Sequence, residues 1–284
     1  MNADLAVVVV NYNSGDGVRR CVQSVFDSAG DIRLQVLIVD NGSRDGSAEA
    51  AIREHPEVGL LPNRENRGFA AAANQGIRET DSEFVLLINP DAELILGTLE
   101  RFLKVARDHP RAGAIGALVR DPDGAVYPSA RRIPSLAQGT VHTLVGFFRP
   151  NNRFTQAYKM LDWDRRSERL VDWVSGSSML LRRQALNEVG LFDEAYFMYA
   201  EDMDLCTRLR EAGWEAWFSP ELEIEHVGGT ATAGSKRMTL EHSKSIYTYF
   251  VKHRSNGWRA ALRPFVWAAL RARAALVSWR SGER

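Results

Sequence analysis

Four polar stretches follow apolar runs and carry side chains able to do chemistry. They are Asn11-Tyr12-Asn13, Asp40-Asn41-Gly42-Ser43, Asn89-Pro90-Asp91 and His226-Val227-Gly228-Gly229. A carboxylate such as Asp91 suits a hard divalent cation, and a cation so placed usually carries phosphate. Asp after Pro is equally at home in an ordinary turn. A lone histidine such as His226 is more often structural than a ligand. Paired with Asp91 it would complete a sparse cation site, with diphosphate oxygens and water in the remaining positions. Asp40, acceptor-only when ionised, could take the N3–H of a pyrimidine; it also reads as an Asx-turn residue before Asn41-Gly42. Asn66-Arg67-Gly68 opens a helix, so its N–H groups and the Arg67 guanidinium suit phosphate or sugar, although Arg67 reads as well as a surface ion pair.

A second concentration is Glu201-Asp202-Met203-Asp204. Adjacent helical side chains diverge by about 100°, so the three carboxylates cannot all face one site. One of them pointing into a cleft would be a general base. Aromatic cover from Phe197, Tyr199 and Trp173 would raise its pKa by desolvation. The sequence has neither G-x-G-x-x-G nor G-x-x-x-x-G-K-[ST], which removes the main support for dinucleotide and P-loop readings.

The elements that must position these groups alternate. Leu5–Val10 and Phe84–Ile88 are unbroken apolar runs, the pattern of strands buried on both faces, and Leu34–Val39, apolar but for Gln35, reads as a strand between them. Pro90 cannot donate to a ladder and should end the Phe84–Ile88 run. Leu60-Leu61 reads as a short strand. Helices are expected after Ser14 or Asp16 as cap, after Asp45, and from Gly68 to about Ile77. This β-α-β spacing predicts parallel strands with right-handed crossovers, and ligands bind at the carboxyl edge of such sheets. Ile115–Val119 reads as another strand, Asp121-Pro122-Asp123-Gly124 as a hairpin-type turn, and Ser129–Pro134 as polar and basic. Gln138–Arg169 reads as an irregular excursion with an apolar patch at Val141, Leu144, Val145, Phe147 and Phe148. Strand character resumes over Val171–Leu181, and a short helix is expected over Gln184–Val189. A further helix is expected to begin near Glu201 and stop at Gly213. Trp214–Phe218 and Leu222–Glu225 read as two strands, with helices over Met238–Lys252 and from Trp258.

The 284 residues are 45% hydrophobic and 25% charged, an ordinary globular composition. Lys+Arg and Asp+Glu balance at 36 each, which argues against nucleic acid as a partner. The tail from Lys252 is different: eight basic residues face the single acid Glu283, which points to an anionic partner. A helical wheel puts Trp258, Phe265, Leu276 and Trp279 opposite most of the arginines, so the tail suits an anionic membrane interface or, equally, packing on the domain or a second subunit. Cys21 and Cys206 give no framework and fit a reducing compartment. The start lacks a basic n-region and runs directly into a strand, which argues against a signal peptide. No apolar run reaches the ~18 residues needed to span a bilayer.

Taken together, Asn11-Tyr12-Asn13, Val39-Asp40-Asn41-Gly42-Ser43, Asn66-Arg67-Gly68-Phe69, Asn89-Pro90-Asp91, Phe197–Leu205 and Ala212-Gly213-Trp214 resemble inverting family 2 glycosyltransferases. Within that family the chain in particular resembles bacterial rhamnosyltransferases that use dTDP-L-rhamnose. Among these it resembles the actinobacterial kind acting on N-acetylglucosaminyl-diphosphate-polyprenol in the cell-wall linker. The resemblance covers roughly residues 4–230.

The resemblance implies an α/β GT-A fold: a Rossmann-like mixed central sheet flanked by helices, with a C-terminal helical extension. Residues 1–235 would form the catalytic domain and 236–284 the extension. Tyr12 and Asp40 would hold the base, with Asn11, Arg67 and Asn89 nearby. Asp91 and His226 would bind Mg²⁺ or Mn²⁺ on the diphosphate. Asp202 would be the catalytic base beside Glu201, and Trp173, Ser175, Gly176 and Ser177 would meet the acceptor. Asn89 stands where the family's metal-binding Asp-x-Asp motif has its first Asp, so a two-carboxylate metal site is not expected. The implied setting is cytoplasmic, peripheral on the inner face of the membrane, with a homodimer as a further expectation. Two alternatives stay open: transfer from another sugar nucleotide, and a non-catalytic nucleotide-sugar or lipid-carrier binding protein.

Overall fold

A computed structural model of the chain describes residues 3–135, 152–226 and 236–282. The apolar patch of 141–148, the Gly228-Gly229 turn, the domain boundary at 235 and the last two residues of the tail lie outside these, as do the side chains of Trp279 and Arg280.

Strands β1 (Leu5–Asn11), β2 (Leu34–Asp40), β3 (Gly59–Pro62) and β4 (Phe84–Ile88) are parallel and lie in the order β3-β2-β1-β4. Helices α1 (Gly17–Asp27), α2 (Ser47–Glu54) and α3 (Phe69–Arg78) connect them. All five residues of β4 are buried, as its unbroken apolar run requires. Alternation divides the core in two. Leu5, Val7 and Val9 face α1 and α2, and Ala6 and Val8 face α3. The run of alanines on α3 lets that helix lie close against the sheet. Neither Ser14 nor Asp16 caps α1 through its side chain. The Ser14 hydroxyl turns to Asn11, and Asp16 is taken up by Arg19 and Arg20.

Beyond β4 the sheet becomes mixed. The later elements are β5 (Ala92–Leu94), α4 (Thr98–Asp108), β6 (Ala112–Arg120), β7 (Val126–Tyr127), β8 (Ala130–Arg131), α5 (Arg153–Lys159), β9 (Arg169–Val171), β10 (Trp173–Val174), β11 (Ser178–Arg182), α6 (Arg183–Val189), α7 (Glu201–Glu211) and β12 (Glu215–His226). The order continues β4-β11-β6-β12-β5, with β11 antiparallel to β4 and β6, β12 parallel to β6, and β5 antiparallel to β12. The two strands expected over 214–225 are one element. Its ladder to β6 breaks between Ser219 and Glu223, where Pro220 cannot donate, and then resumes. The excursion expected over 138–169 holds the helix α5, capped by Asn152, whose side chain accepts from the N–H groups of Phe154 and Thr155.

Helices α8 (Lys236–His253) and α9 (Arg263–Gly282) follow, joined by a 3₁₀ turn at Gly257–Leu262. Asp204, fully buried on α7, fastens α8 to the body of the protein. It meets Arg208 at 2.9 Å, Lys252 at 2.8 Å and His253 at 2.7 Å. In turn α9 buries Leu270 and Ala274 and sets Trp267 5.0 Å from the Tyr247 ring. Trp258 and Phe265 remain 75% and 72% exposed, so the turn and the start of α9 each present one large apolar ring outward.

Candidate active site

Strand register brings the chemistry-bearing stretches to one edge. β1 and β2 end side by side at Asn11 and Asp40. β4 ends at Ile88, opposite Ser178 at the start of the antiparallel β11, so Ser175-Gly176-Ser177 arrives at the same rim as Asn89. The Asn89 N–H donates to the Ser177 carbonyl at 2.9 Å. β12 runs parallel to β6 and ends there too, and its pairing of His226 with Ala92 places His226 beside Asp91.

These ends enclose a cleft of about 380 Å³, within the range of small-molecule sites. Its walls include Tyr12, Asn89, Asp91, Trp173, Ser175, Gly176, Ser177, Glu201, Asp202 and His226. A hollow of about 600 Å³ at the opposite end of the sheet, lined by Asp4, Arg33 and Ser82 among others, holds none of the residues singled out from the sequence.

Nε2 of His226 lies 3.1 Å from Oδ1 of Asp91. The Asp91 carboxylate beside it raises the His226 pKa above the ordinary imidazole value, although burial opposes this. The separation fits a shared divalent cation, because adjacent corners of an octahedral shell with ligands at about 2.1 Å are about 3 Å apart. Among the described residues no three His, Cys, Asp or Glu side chains cluster as a metal set. Among the described residues, Asp91 and His226 are the pair placed to hold such a cation, with substrate and water able to fill the other positions.

Helix α7 begins after two consecutive residues in the left-handed region, Tyr199 (φ 70°) and Ala200 (φ 66°). That conformation costs non-glycine residues energy and aims the first turn at the cleft. Asp202 is fixed by two backbone donors: the Gly176 N–H reaches Oδ2 at 3.0 Å and the Met203 N–H reaches Oδ1 at 2.7 Å. Burial raises its pKa, with those hydrogen bonds and the Arg131 charge opposing. Glu201 is raised well above its usual range by burial and by the neighbouring Asp202 charge. Its Oε2 has no hydrogen-bond partner among the described residues. Asp204 is the carboxylate that helix geometry turns away, into the contacts with α8.

The other expected residues are placed differently. Asn11 is fully buried and turned inward, donating to Asp40 at 2.8 Å and to Ser47 at 2.9 Å. It braces Asp40 and does not line the cleft. Asp40 also accepts from the Ser43 N–H at 3.1 Å, the Asx-turn arrangement. The Arg67 side chain is exposed and extends along α3 toward Gln75. Its N–H, at 3.0 Å from Asn41 Oδ1, holds the loop in place. Trp173 is nearly buried, its indole N–H donating to the Arg132 carbonyl at 3.3 Å.

Two motifs distant in sequence meet at Gly68. The Phe69 N–H donates to the Phe197 carbonyl at 2.7 Å, and a Cβ on Gly68 (φ 86°) would collide with that carbonyl. The cleft also contains residues that the sequence pattern did not single out: Asn41, Tyr127, Arg131, Tyr158 and His242. Asn41 sits inside a recognised motif. The others carry no local signal, since they reach the cleft from short strands and separate helices.

A glycosyl transferase family 2 model matches residues 6–190, and a glycosyl transferase family group 2 model matches residues 131–281. Over 271 residues the chain is 41% identical to N-acetylglucosaminyl-diphospho-decaprenol L-rhamnosyltransferase of Mycobacterium tuberculosis, covering 91% of this chain and 88% of that protein. It is 26% identical over 258 residues to rhamnosyltransferase WbbL of Escherichia coli, covering 87% and 93%. Among solved structures, a mannosyltransferase of Pyrobaculum calidifontis in complex with GDP-Man and Mn²⁺ superposes with a TM-score of 0.62 at 20% identity, covering 98% of this chain and 76% of that one. GalNAc-T7 with UDP, GalNAc and Mn²⁺ gives 0.66 at 14% identity, covering 94% and 51%. These likenesses show the GT-A fold.

Proposed function

The chain belongs to glycosyl transferase family 2, and we propose that it transfers L-rhamnose from dTDP-L-rhamnose to N-acetylglucosaminyl-diphosphate-polyprenol, with inversion at the anomeric carbon. The observation that carries this reading is one cleft holding both the Asp91–His226 pair and the Glu201–Asp202 pair. The name of the Mycobacterium tuberculosis relative supports the sugar and the acceptor.

In this reading Tyr12, 41% exposed on the rim, stacks on the nucleotide base, and Asp40 accepts from it. Asp91 and His226 would hold Mg²⁺ or Mn²⁺, which when bound would offset the charge developing on the departing diphosphate. Asn89, beside them, supplies an amide where a second carboxylate would have been. Asp202, its orientation set by the Gly176 and Met203 N–H groups, takes the proton from the acceptor hydroxyl as that oxygen attacks. Its raised pKa suits that task. Glu201 is raised well above its usual range by burial and by the Asp202 charge, so it holds its proton more tightly than an exposed glutamate, which eases the repulsion between two adjacent acids in one buried site. Ser177, whose buried Oγ has no hydrogen-bond partner among the described residues, is placed to meet the acceptor sugar with Ser175 and Gly176.

In this reading residues 1–235 are the catalytic domain and 236–284 the extension, whose His242 and Ile246 also line the cleft. No helix among the described residues is long and apolar enough to cross a membrane. The exposed Trp258 and Phe265, with exposed Arg259, Arg263 and Arg271 around them, suit the anionic surface in which a polyprenol acceptor resides. The test is to incubate the protein with dTDP-L-rhamnose, Mg²⁺ or Mn²⁺, and a panel of polyprenyl-diphosphate sugars. Gain of one deoxyhexose by the N-acetylglucosamine acceptor is expected. Binding of the nucleotide sugar with no transfer to any acceptor would refute the reading and favour a non-catalytic binding protein.

A further inference from the structure

The cleft contains a cation that the mechanism above does not use. The Arg131 guanidinium carbon lies 4.9 Å from the Trp173 ring centroid, 5.5 Å from Tyr127 and 5.7 Å from Tyr158. Its Nε donates to the Pro128 carbonyl at 2.7 Å, one terminal nitrogen donates to the Tyr127 hydroxyl at 2.8 Å, and the other reaches the Tyr158 hydroxyl at 3.4 Å. None of these partners is anionic, and Arg131 forms no ion pair among the described residues. A guanidinium has five N–H donors, so two remain. The rings fix its plane without neutralising its charge. A cation held flat at the wall of a cleft, with donors to spare, matches a bidentate oxyanion.

Its place in the fold indicates whose oxyanion. Arg131 pairs in register with Trp173, in the small β8–β10 sheet that leads into Ser175-Gly176-Ser177. The carboxylate whose charge it feels is Asp202, whereas His226 feels Asp91 and Asp121. In a single displacement the base and the leaving diphosphate stand on opposite faces of the anomeric carbon. A cation on the base's side therefore meets the acceptor. We propose that Arg131 binds the diphosphate of the lipid-linked acceptor, one sugar ring away from the hydroxyl that Asp202 deprotonates. This rests on the transferase reading and makes Arg131 a determinant of acceptor specificity.

The test compares wild type, Arg131→Gln and Arg131→Lys with two acceptors: N-acetylglucosaminyl diphosphate on a short prenyl chain, and the same sugar on a neutral alkyl chain. Steady-state kinetics with dTDP-L-rhamnose are accompanied by calorimetric titration of each acceptor without donor, titration of dTDP, and thermal melts. Loss of a charge-assisted contact predicts that Arg131→Gln lowers kcat/KM on the diphosphate acceptor about 10- to 100-fold, mainly through KM. The neutral acceptor and dTDP affinity should change little, and Arg131→Lys should recover part of the loss. Equal losses on both acceptors would make Arg131 a structural strut and overturn the proposal. A fall in dTDP affinity would assign the oxyanion to the donor and overturn it too. If wild type bound the diphosphate acceptor through Arg131 and transferred nothing, this site would stand while the transferase reading fell.

Discussion

Replacing Asp202 by Asn removes the proposed base and nearly preserves its shape, so the two consequences separate. Both carboxylate oxygens accept backbone N–H groups, from Gly176 at 3.0 Å and Met203 at 2.7 Å. An amide offers one oxygen and one NH₂, so one of those N–H groups must face a donor. A buried group left unsatisfied costs about 1–3 kcal/mol. At roughly 2–4 °C per kcal/mol for a chain approaching this size, Tm should fall by several degrees. Loss of the base is separate and should lower kcat by about 10²- to 10⁴-fold. The assay follows transfer from dTDP-L-rhamnose at a temperature well below both melting points, with dTDP affinity measured by calorimetry. The expected result is a large fall in kcat, nearly unchanged dTDP affinity and a modestly lower Tm. Glu201→Gln keeps the shape of that side chain and leaves the Asp202 base in place, so it should keep most of the turnover. Because burial raises the Asp202 pKa, the wild-type rate should fall as pH drops through a value above the ordinary 3.8 of aspartate. A fully active Asp202→Asn protein would refute the assignment, and a loss confined to Glu201→Gln would move the base to that carboxylate.

Three further outcomes follow from the same geometry. Burial pushes the Asp204 carboxyl up, but hydrogen bonds from His253 and Lys252 and the charge of Arg208 outweigh it and hold its pKa well below the usual range. A depressed folded-state pKa contributes stability that is present above the unfolded value and lost as pH falls through the folded one. Asp204→Asn should therefore cost about 3–5 kcal/mol at neutral pH, and denaturant melts should show the gap to wild type closing below about pH 4. Gly68→Ala forces a Cβ onto the Phe197 carbonyl at a φ that favours glycine, so melts should show a loss of about 1–3 kcal/mol and assays a lower kcat as the loop before Glu201 shifts. Trp258→Ser combined with Phe265→Ser removes two exposed rings, so it should leave Tm unchanged while weakening co-sedimentation with anionic vesicles; unchanged co-sedimentation would dispose of the membrane role.

Much of the site was legible because strand ends are legible. Apolar runs closing in polar turns located Asn89, Asp91 and His226, and alternation of strands with helices placed those turns on one rim. The Asp91–His226 pair was expected from residue type and family likeness, but the strand pattern by itself could not show the pairing between distant elements that brings it about. His226 stands beside Asp91 because β12 pairs with β5, a contact between residues far apart in the chain. Asn11 looked like a ligand because it ends a strand at the rim, yet the adjacent ends of β1 and β2 turn it onto Asp40. Arg131 was hidden for the same reason: Tyr127, Tyr158 and Trp173 gather round it from segments with no common period. The apparent break in β12 came from Pro220, which interrupts hydrogen bonding to β6 without ending the strand.

The most direct test of a base facing a leaving diphosphate across one cleft is the configuration of the bond the protein makes. Product formed from dTDP-L-rhamnose and the N-acetylglucosaminyl diphosphate acceptor can be isolated and its anomeric centre assigned by NMR. The proposed roles of Asp202 as base and of Asp91 and His226 at the leaving diphosphate predict a configuration inverted from that of the donor. Retention would require a double displacement or attack on the same face as the departing diphosphate, and either would contradict the account.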